Sequence, residues 1–349
     1  MLGNNVISVN HTIISALKLM DEIKRKILFI TEDNNKFIGV LSLGDLQRAI
    51  IKQKPLETKI KDILREHITI ANTSLSFEEI KQIMIEKRAE AMPVIDEYGF
   101  LKDVVYWEDI IDEDSPSKKE KINLPVVIMA GGKGTRLKPL TNVIPKPLIP
   151  IGEKTILEDI MDSFEEYGCN KFYLSVNYRA DIIKYYMKEQ ALSNYSLEYF
   201  KENEPLGTAG SLNLLEDKIK DTFFVTNCDI MIDDNYAEIL KYHKENKNEL
   251  TVVAALKSYS IPYGTIQTGK DGTIKSLQEK PQLTFKINTG LYILEPHLIN
   301  EIPKNKFYHI TTLIEKLIKE KRRVGVFPVS ENSWTDIGEW NEYLKFINE

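Results

Sequence analysis

A polar, charged stretch containing one proline, Asp112-Glu113-Asp114-Ser115-Pro116-Ser117-Lys118-Lys119-Glu120-Lys121, divides the chain. No apolar periodicity runs through it, so no single core can cross it, and it reads as a linker between separately packed units. Measured from this break, the 349 residues divide into two short units at 1–58 and 59–114, a linker at 115–123 and a larger domain at 124–349. An apolar content of 42% supplies cores on both sides.

The N-terminal part repeats itself. Ile27-Leu28-Phe29-Ile30 is a short apolar run followed by a charged turn, a second run Phe37–Ser42, and a helix beginning near Asp45 with Leu46, Ala49 and Ile50 on one face. The same order returns in Met92-Pro93-Val94-Ile95, the turn Asp96-Glu97-Tyr98-Gly99, Phe100–Tyr106 and a helical start at Asp109. An amphipathic helix precedes each copy, carrying Ile14, Leu17 and Met20 in the first and Phe77, Ile80 and Met84 in the second. After the linker, strands and helices alternate. Leu124–Ala130 is a continuous apolar strand of the kind found in sheets covered on both faces. Helices are expected at 156–167, 181–189 and 308–320, with a further one starting at Gly210. Strands are expected at 172–176, 196–200, 223–226, 250–256, 264–268, 274–278, 290–294 and 324–329. That alternation predicts an α/β sandwich.

Several classes are disfavoured. The net charge of −6 and the absence of a long basic run argue against a nucleic-acid binder; Lys321-Arg322-Arg323 suits a helix C-terminus instead. No apolar run reaches the ~20 residues of a membrane span. Two cysteines without a framework, and no signal-like start, point to a cytoplasmic protein. The five histidines show no metal-ligand spacing.

Chemistry concentrates after the first strand of the larger domain, in Ala130-Gly131-Gly132-Lys133-Gly134-Thr135-Arg136-Leu137. A glycine-rich turn at a strand end lets phosphates reach backbone N–H donors. The spacing is not that of a Walker A loop. Leu137 stands where a dinucleotide loop needs its third glycine, which removes a nicotinamide-dependent dehydrogenase from consideration. On spacing alone a structural tight turn stays open.

The continuation Pro139-Leu140-Thr141, Ile144-Pro145-Lys146-Pro147-Leu148 and Pro150-Ile151-Gly152 makes Gly131–Gly152 closely resemble the signature of nucleotidylyltransferases that form UDP-, dTDP- and GDP-sugars. The resemblance implies a Rossmann-like mixed-sheet sandwich acting on a nucleoside triphosphate and a sugar 1-phosphate with Mg²⁺. Arg136 and Lys146 would be the catalytic cations, since transfer at an α-phosphorus calls for fixed positive charge rather than a covalent nucleophile. Gly131, Gly132, Gly134 and Thr135 would hold the nucleotide, together with Gly207 in Glu204-Pro205-Leu206-Gly207-Thr208-Ala209-Gly210. Asp229, ending Thr226-Asn227-Cys228-Asp229, and Asp336, in Trp334-Thr335-Asp336-Ile337-Gly338, would bind Mg²⁺. Taken singly, each aspartate reads equally well as a cap or turn residue. Glu279 and Lys280 in Glu279-Lys280-Pro281, and Asn288 and Thr289 in a sugar-contact loop, would hold the sugar phosphate.

The repeated N-terminal unit resembles the cystathionine-β-synthase-type (CBS) domain, present here as a tandem pair. That resemblance implies a regulatory adenine or guanine nucleotide, held by Ser42 and Asp45 in the first copy and Asp109 in the second, where Tyr106 replaces the usual hydroxyl residue. Ser42 as an N-cap with Asp45 in the first helical turn explains the same residues without a ligand. CBS-linked nucleotidylyltransferases of bacterial nonulosonic acid pathways make GDP-glucosamine from GTP and glucosamine 1-phosphate, and that is the expected reaction. The alternatives are mannose or glucose 1-phosphate with another base, and, from a different class, a nucleotide-sensing regulator with a decayed catalytic half. CBS pairing between chains makes a homo-oligomer a further expectation.

Overall fold

The structure, a computed structural model, describes residues 4–32, 34–65, 68–87, 89–106, 119–190, 195–202 and 204–348. The chain forms two compact units, Met1–Lys118 and Lys119–Glu349.

The first unit contains β1 (Val6–Ser8), α1 (Ile13–Glu22), β2 (Ile27–Thr31), β3 (Phe37–Ser42), α2 (Leu43–Ile51), β4 (Ala71–Asn72), α3 (Phe77–Lys87), β5 (Ala91–Ile95) and β6 (Leu101–Tyr106). In each half a parallel pair is followed by an antiparallel one, β1-β2-β3 and β4-β5-β6, so the sequence repeat is a structural repeat. A bridge between Lys36 and Phe100 joins the two hairpin turns. α1 buries Ile13, Ala16, Leu17 and Met20, the stripe that a 3.6-residue period predicts. α2 begins at Leu43 rather than at Asp45, with Ser42 as N-cap and Asp45 closing a capping box. Asp109 lies outside the described residues.

The second unit contains β7 (Val126–Met129), β8 (Pro150–Ile151), β9 (Lys154–Thr155), α4 (Ile156–Glu165), β10 (Lys171–Val176), α5 (Ala180–Glu189), β11 (Ser196–Lys201), β12 (Phe223–Asn227), β13 (Ile230–Ile232), α6 (Tyr236–Glu245), β14 (Leu250–Ser260), β15 (Thr265–Thr268), β16 (Ile274–Gln278), β17 (Gln282–Leu294), α7 (Ile310–Lys319), β18 (Val324–Ser330), β19 (Trp334–Asp336) and α8 (Trp340–Asn348). A seven-stranded mixed sheet, ordered β11-β10-β7-β12-β17-β14-β18, is its centre. β7, β10, β11 and β12 run parallel, while β17 is antiparallel to both of its neighbours. All four residues of β7 are buried, as expected for a strand covered on both faces. On one face Phe164 of α4 packs against Phe224 and Tyr236, with ring centroids 5.2 Å and 4.6 Å away. On the other, Val127, Val225 and Tyr292 meet Leu313 and Leu317 of α7 within one apolar cluster.

Several elements differ from expectation. β17 starts at Gln282, so Asn288-Thr289-Gly290 lies inside a long strand and is not a loop. Its alternation is interrupted where the register with β14 shifts between Val252 and Ala254, which hid the continuity of the strand. Gly210–Leu215 makes only a short 3-10 turn, and α7 begins two residues later than expected. α6 and α8 were not expected. α6 carried a signal in Asn235, whose side chain accepts from the N–H groups of Ala237 and Glu238.

Arg322 does more than complement a helix end. Its guanidinium donates to Glu249 through Nε at 3.0 Å and through Nη2, and to Glu301 through Nη1 at 2.6 Å. These bonds, led by Arg322 and helped by His297, hold the Glu249 carboxyl down at about 2. A carboxyl depressed on folding adds stability above its unfolded value and loses it as pH falls through the folded one. Arg322→Ala should therefore destabilise the fold by about 2 kcal/mol at neutral pH. Thermal unfolding of both proteins should show this gap closing as pH falls from about 4.5 towards 2.

Candidate active site

β7 and β12 are parallel neighbours, with Met129 opposite Asn227, so their carboxyl ends release two loops at one level. The first is the glycine-rich turn. Gly134 adopts a left-handed conformation with φ of +62°, and a Cβ there would lie 2.8 Å from the Thr141 methyl and 3.1 Å from Lys146 Cβ. Glycine is required by both backbone and space. The Thr141 hydroxyl then donates to the Gly134 carbonyl at 2.8 Å, fastening the turn to the segment that carries Lys146.

The loop after β12 supplies Asp229, which is buried and takes an ion pair from the equally buried Lys146. β13 continues from it and pairs with β19 so that Ile230 lies opposite Asp336. This ladder brings the two aspartates together. A Cβ placed on Gly338 would sit 2.6 Å from Asp336 Oδ1, 2.7 Å from Asp229 Oδ2 and 2.9 Å from Arg136 Nη2, so the three groups converge on one point. Arg136 reaches Asp229 at 3.7 Å, Asp336 at 4.0 Å and Glu339 at 3.0 Å. Burial, and then the charge of Asp229, raise the Asp336 carboxyl above its ordinary value. Two hard carboxylates at strand ends are donors of the type that suits an oxygen-ligated divalent ion. Among the described residues no group of three or more His, Cys, Asp or Glu side chains could hold a metal ion.

A cleft of about 340 Å³ opens here, within the range of small-molecule sites. Gly131, Gly132, Gly134, Thr135, Arg136, Lys146, Gly207 and Asp229 line it together. Gly207, with φ of +80°, lies where a Cβ would be 2.7 Å from the Tyr308 carbonyl. The same carbonyl accepts from Ala209 and Gly210 at 3.0 Å, so this loop is fastened to the segment before α7. Glu279, Lys280, Asn288 and Thr289 are not among the lining residues. Glu279 and Lys280 form the exposed base of the β15–β16 hairpin. The Thr289 hydroxyl is buried, donating to Val253 O and accepting from Leu291 N, and Asn288 Oδ1 accepts from Gly290 N.

Sequence reasoning missed Glu202, Asn227 and Phe307, which also line the cleft. Glu202 is buried; it accepts from the Ser175 hydroxyl and, at 3.0 Å, from the Leu206 N–H. Its signal was a carboxylate just past a strand and just before a glycine loop. Cys228 packs inward, and burial pushes its thiol up to about 12. In the first unit, Asp45 accepts from Ser42 Oγ at 2.7 Å, Arg48 Nη2 at 2.7 Å and Arg65 Nε at 2.5 Å.

A family model described as nucleotidyl transferase matches residues 125–349, and a CBS domain model matches 4–52 and 60–115. This chain belongs to the nucleotidyl transferase family. It carries a tandem CBS pair before the nucleotidyl transferase domain. It is similar to the mannose-1-phosphate guanylyltransferase catalytic subunit beta of Drosophila pseudoobscura pseudoobscura, with 33% identity over 62% of this chain and 60% of that protein. It is also similar to the mannose-1-phosphate guanyltransferase of Yarrowia lipolytica, with 35% identity over 62% of this chain and 61% of that one. The chain thus spans about 60% of the length of these relatives. Among solved structures it resembles HddC from Yersinia pseudotuberculosis, at 30% identity and a TM-score of 0.52, over 64% of this chain and 98% of that one. A second HddC structure, complexed with GMP-PN, matches at 29% identity and a TM-score of 0.51.

The two kinds of glycine in the turn should separate on substitution. Gly134→Ala meets both strain and the Thr141 methyl, so it should lower the melting temperature and weaken nucleotide binding in a calorimetric titration. Gly132→Ala meets nothing within 4 Å and should leave the melting temperature unchanged.

Proposed function

We propose that this chain is a sugar-1-phosphate guanylyltransferase. A sugar 1-phosphate oxygen attacks the α-phosphorus of GTP, the α–β bridging bond breaks, and pyrophosphate leaves with the bond electrons as the GDP-sugar forms. The observation that carries this reading is the convergence of the glycine turn, Arg136, Lys146 and Asp229 on one cleft, with Asp336 beside it.

The glycine turn offers backbone donors to the polyphosphate, and Arg136 and Lys146 face the charge that grows on it. Asp229 and Asp336 would hold Mg²⁺, which when bound neutralises phosphate charge. The charge count supports that fit. Asp229, Asp336 and Glu339 carry three negative charges against the two of Arg136 and Lys146. The cluster is therefore one unit negative, and a divalent ion makes it one unit positive, as a polyanionic substrate needs. Glu279 and Lys280 would take the sugar phosphate from the hairpin base, with Asn288 contributing from β17; Thr289, whose hydroxyl is spent on Val253 O and Leu291 N, would only support that strand.

Support for guanine comes from the names of the relatives and from Glu202. A carboxylate offers about four acceptor sites, and two are used by Ser175 and Leu206. The remainder match the adjacent N–H donors on one edge of guanine. For the sugar, glucosamine 1-phosphate is supported by the pairing of CBS and catalytic domains, and mannose 1-phosphate by the named relatives. Ser42 and Asp45 would take a regulatory nucleotide only by exchanging the Arg48 and Arg65 contacts for ribose hydroxyls.

Pyrophosphate release from four nucleoside triphosphates, each with glucosamine, mannose and glucose 1-phosphate, tests the reading. GTP should be preferred, turnover should need a divalent ion, and Asp229→Asn should remove most of it while the fold persists. Wild-type kinetics in a folded Asp229→Asn enzyme would overturn the metal assignment. Turnover with a different base alone would overturn the guanine assignment.

Glu202→Gln replaces an acceptor with a donor towards the base. It should lower kcat/KM for GTP by about ten- to a hundredfold, equivalent to about 1.4–2.8 kcal/mol, and change the values for other triphosphates far less. An equal loss for every base would assign Glu202 to loop support alone.

A further inference from the structure

The segment that leads into α7 alternates like a strand. Tyr308 packs against the apolar cluster of the central sheet, while Phe307 and His309 on either side of it are exposed. Phe307 is 63% exposed, and among the described residues that line the cleft it is the one aromatic.

The backbone on both sides of Phe307 is fixed. The Tyr308 N–H donates to the Leu206 carbonyl at 2.9 Å, and the Tyr308 carbonyl accepts from Ala209 and Gly210. Two glycines permit this approach. A Cβ on Gly207 would meet the Tyr308 carbonyl oxygen, and one on Gly210 would lie 2.5 Å from the carbonyl oxygen of Lys306. Phe307 sits between those two points. Its ring is braced as well. His309 meets it edge to face, with ring centroids 4.7 Å apart and planes at 81°. His309 Nδ1 in turn lies 3.3 Å from Thr208 Oγ1, within hydrogen-bonding distance.

Leu206 links this ring to Glu202. Its N–H donates to Glu202 at 3.0 Å, and its carbonyl accepts from the residue after Phe307. One residue therefore sets the spacing between a carboxylate and an aromatic ring on the wall of the same cleft. A lone exposed aromatic is ordinary on a protein surface. One whose backbone is locked and whose ring is braced, inside a cleft, is a pre-organised flat apolar platform. The face of a nucleobase suits such a platform, because every base has a π-face that stacks on aromatic side chains.

We propose that Phe307 is the base-stacking residue of the cleft and selects purines: the face of the base lies on its ring while the edge reaches Glu202. The proposal rests on the nucleotidyl-transfer reading of this cleft and adds to it a second means of choosing the base. A purine overlaps the ring more fully than a pyrimidine does, so stacking separates the two classes. Glu202, an acceptor, then separates guanine from adenine.

Calorimetric titration of the full-length chain with GTP, ATP, UTP and inorganic tripolyphosphate, each with Mg²⁺, tests this. Phe307→Ala should weaken GTP and ATP binding by about ten- to a hundredfold and UTP binding less. It should leave tripolyphosphate binding and the melting temperature unchanged. Phe307→Tyr should bind GTP as the wild-type chain does. In Phe307→Trp, the added indole emission should be quenched by GTP and not by tripolyphosphate. GTP affinity that survives Phe307→Ala overturns the proposal. So does an equal loss of GTP and tripolyphosphate, which would make Phe307 a support of the loop alone. A chain that prefers ATP and loses it on Phe307→Ala keeps the stacking assignment and overturns the guanine reading. A wild-type chain that binds GTP no better than tripolyphosphate overturns the nucleotide reading, and the stacking with it.

Discussion

The second unit depends on holding two carboxylates close together at the edge of a cleft. Like charges at that distance repel strongly in a partly buried setting, and the structure offsets this in two ways. The β13–β19 ladder fixes Asp336 opposite Ile230 by backbone hydrogen bonds, so the approach of the acids does not rest on their own side chains. Lys146 and Arg136 then stand against them, one buried and one half-exposed. Removing Lys146 would leave the buried Asp229 with only the half-exposed Arg136 as counter-charge, and breaking a buried pair typically costs more than the intact pair contributes.

The parallel part of the sheet explains why these loops can meet at all. β10, β7 and β12 point the same way in near-level register, so Asn177, the glycine turn and Asn227 leave the sheet from one edge. Open α/β sheets gather ligands at that edge. Asn177 donates to the Glu202 carbonyl at 2.8 Å, which fixes the start of the loop that ends at Gly207. The site is thus held by the strand ends, and the loops add the chemistry.

Much of this was legible in the sequence because it is local. The β7 strand, the glycine turn and the repeated strand–strand–helix unit each announce themselves within a few residues of their own position. The pairing of Asp229 with Asp336 does not, since nothing near either residue encodes the ladder between them. Glu202 was missed for a similar reason: a buried carboxylate is read as a surface one until its partners, Ser175 and Leu206, are known. Asn288-Thr289-Gly290 misled because glycine and polar residues suggest a loop, whereas the long pairing of β14 with β17 imposes strand geometry on them.

Ser42-x-x-Asp45 shows why one motif can carry two meanings. A hydroxyl residue followed by a carboxylate at the third helical position is the arrangement that closes a capping box, and both of its hydrogen bonds are present. The carboxylate is also held from outside by Arg65 and Arg48. Burial works against its ionisation, but Arg65, Ser42 and Arg48 outweigh that and keep its acidity above that of an ordinary aspartate. A ribose offers neutral hydroxyls, which bond a carboxylate less strongly than a guanidinium does. Any nucleotide at this position must therefore recover the loss through contacts elsewhere.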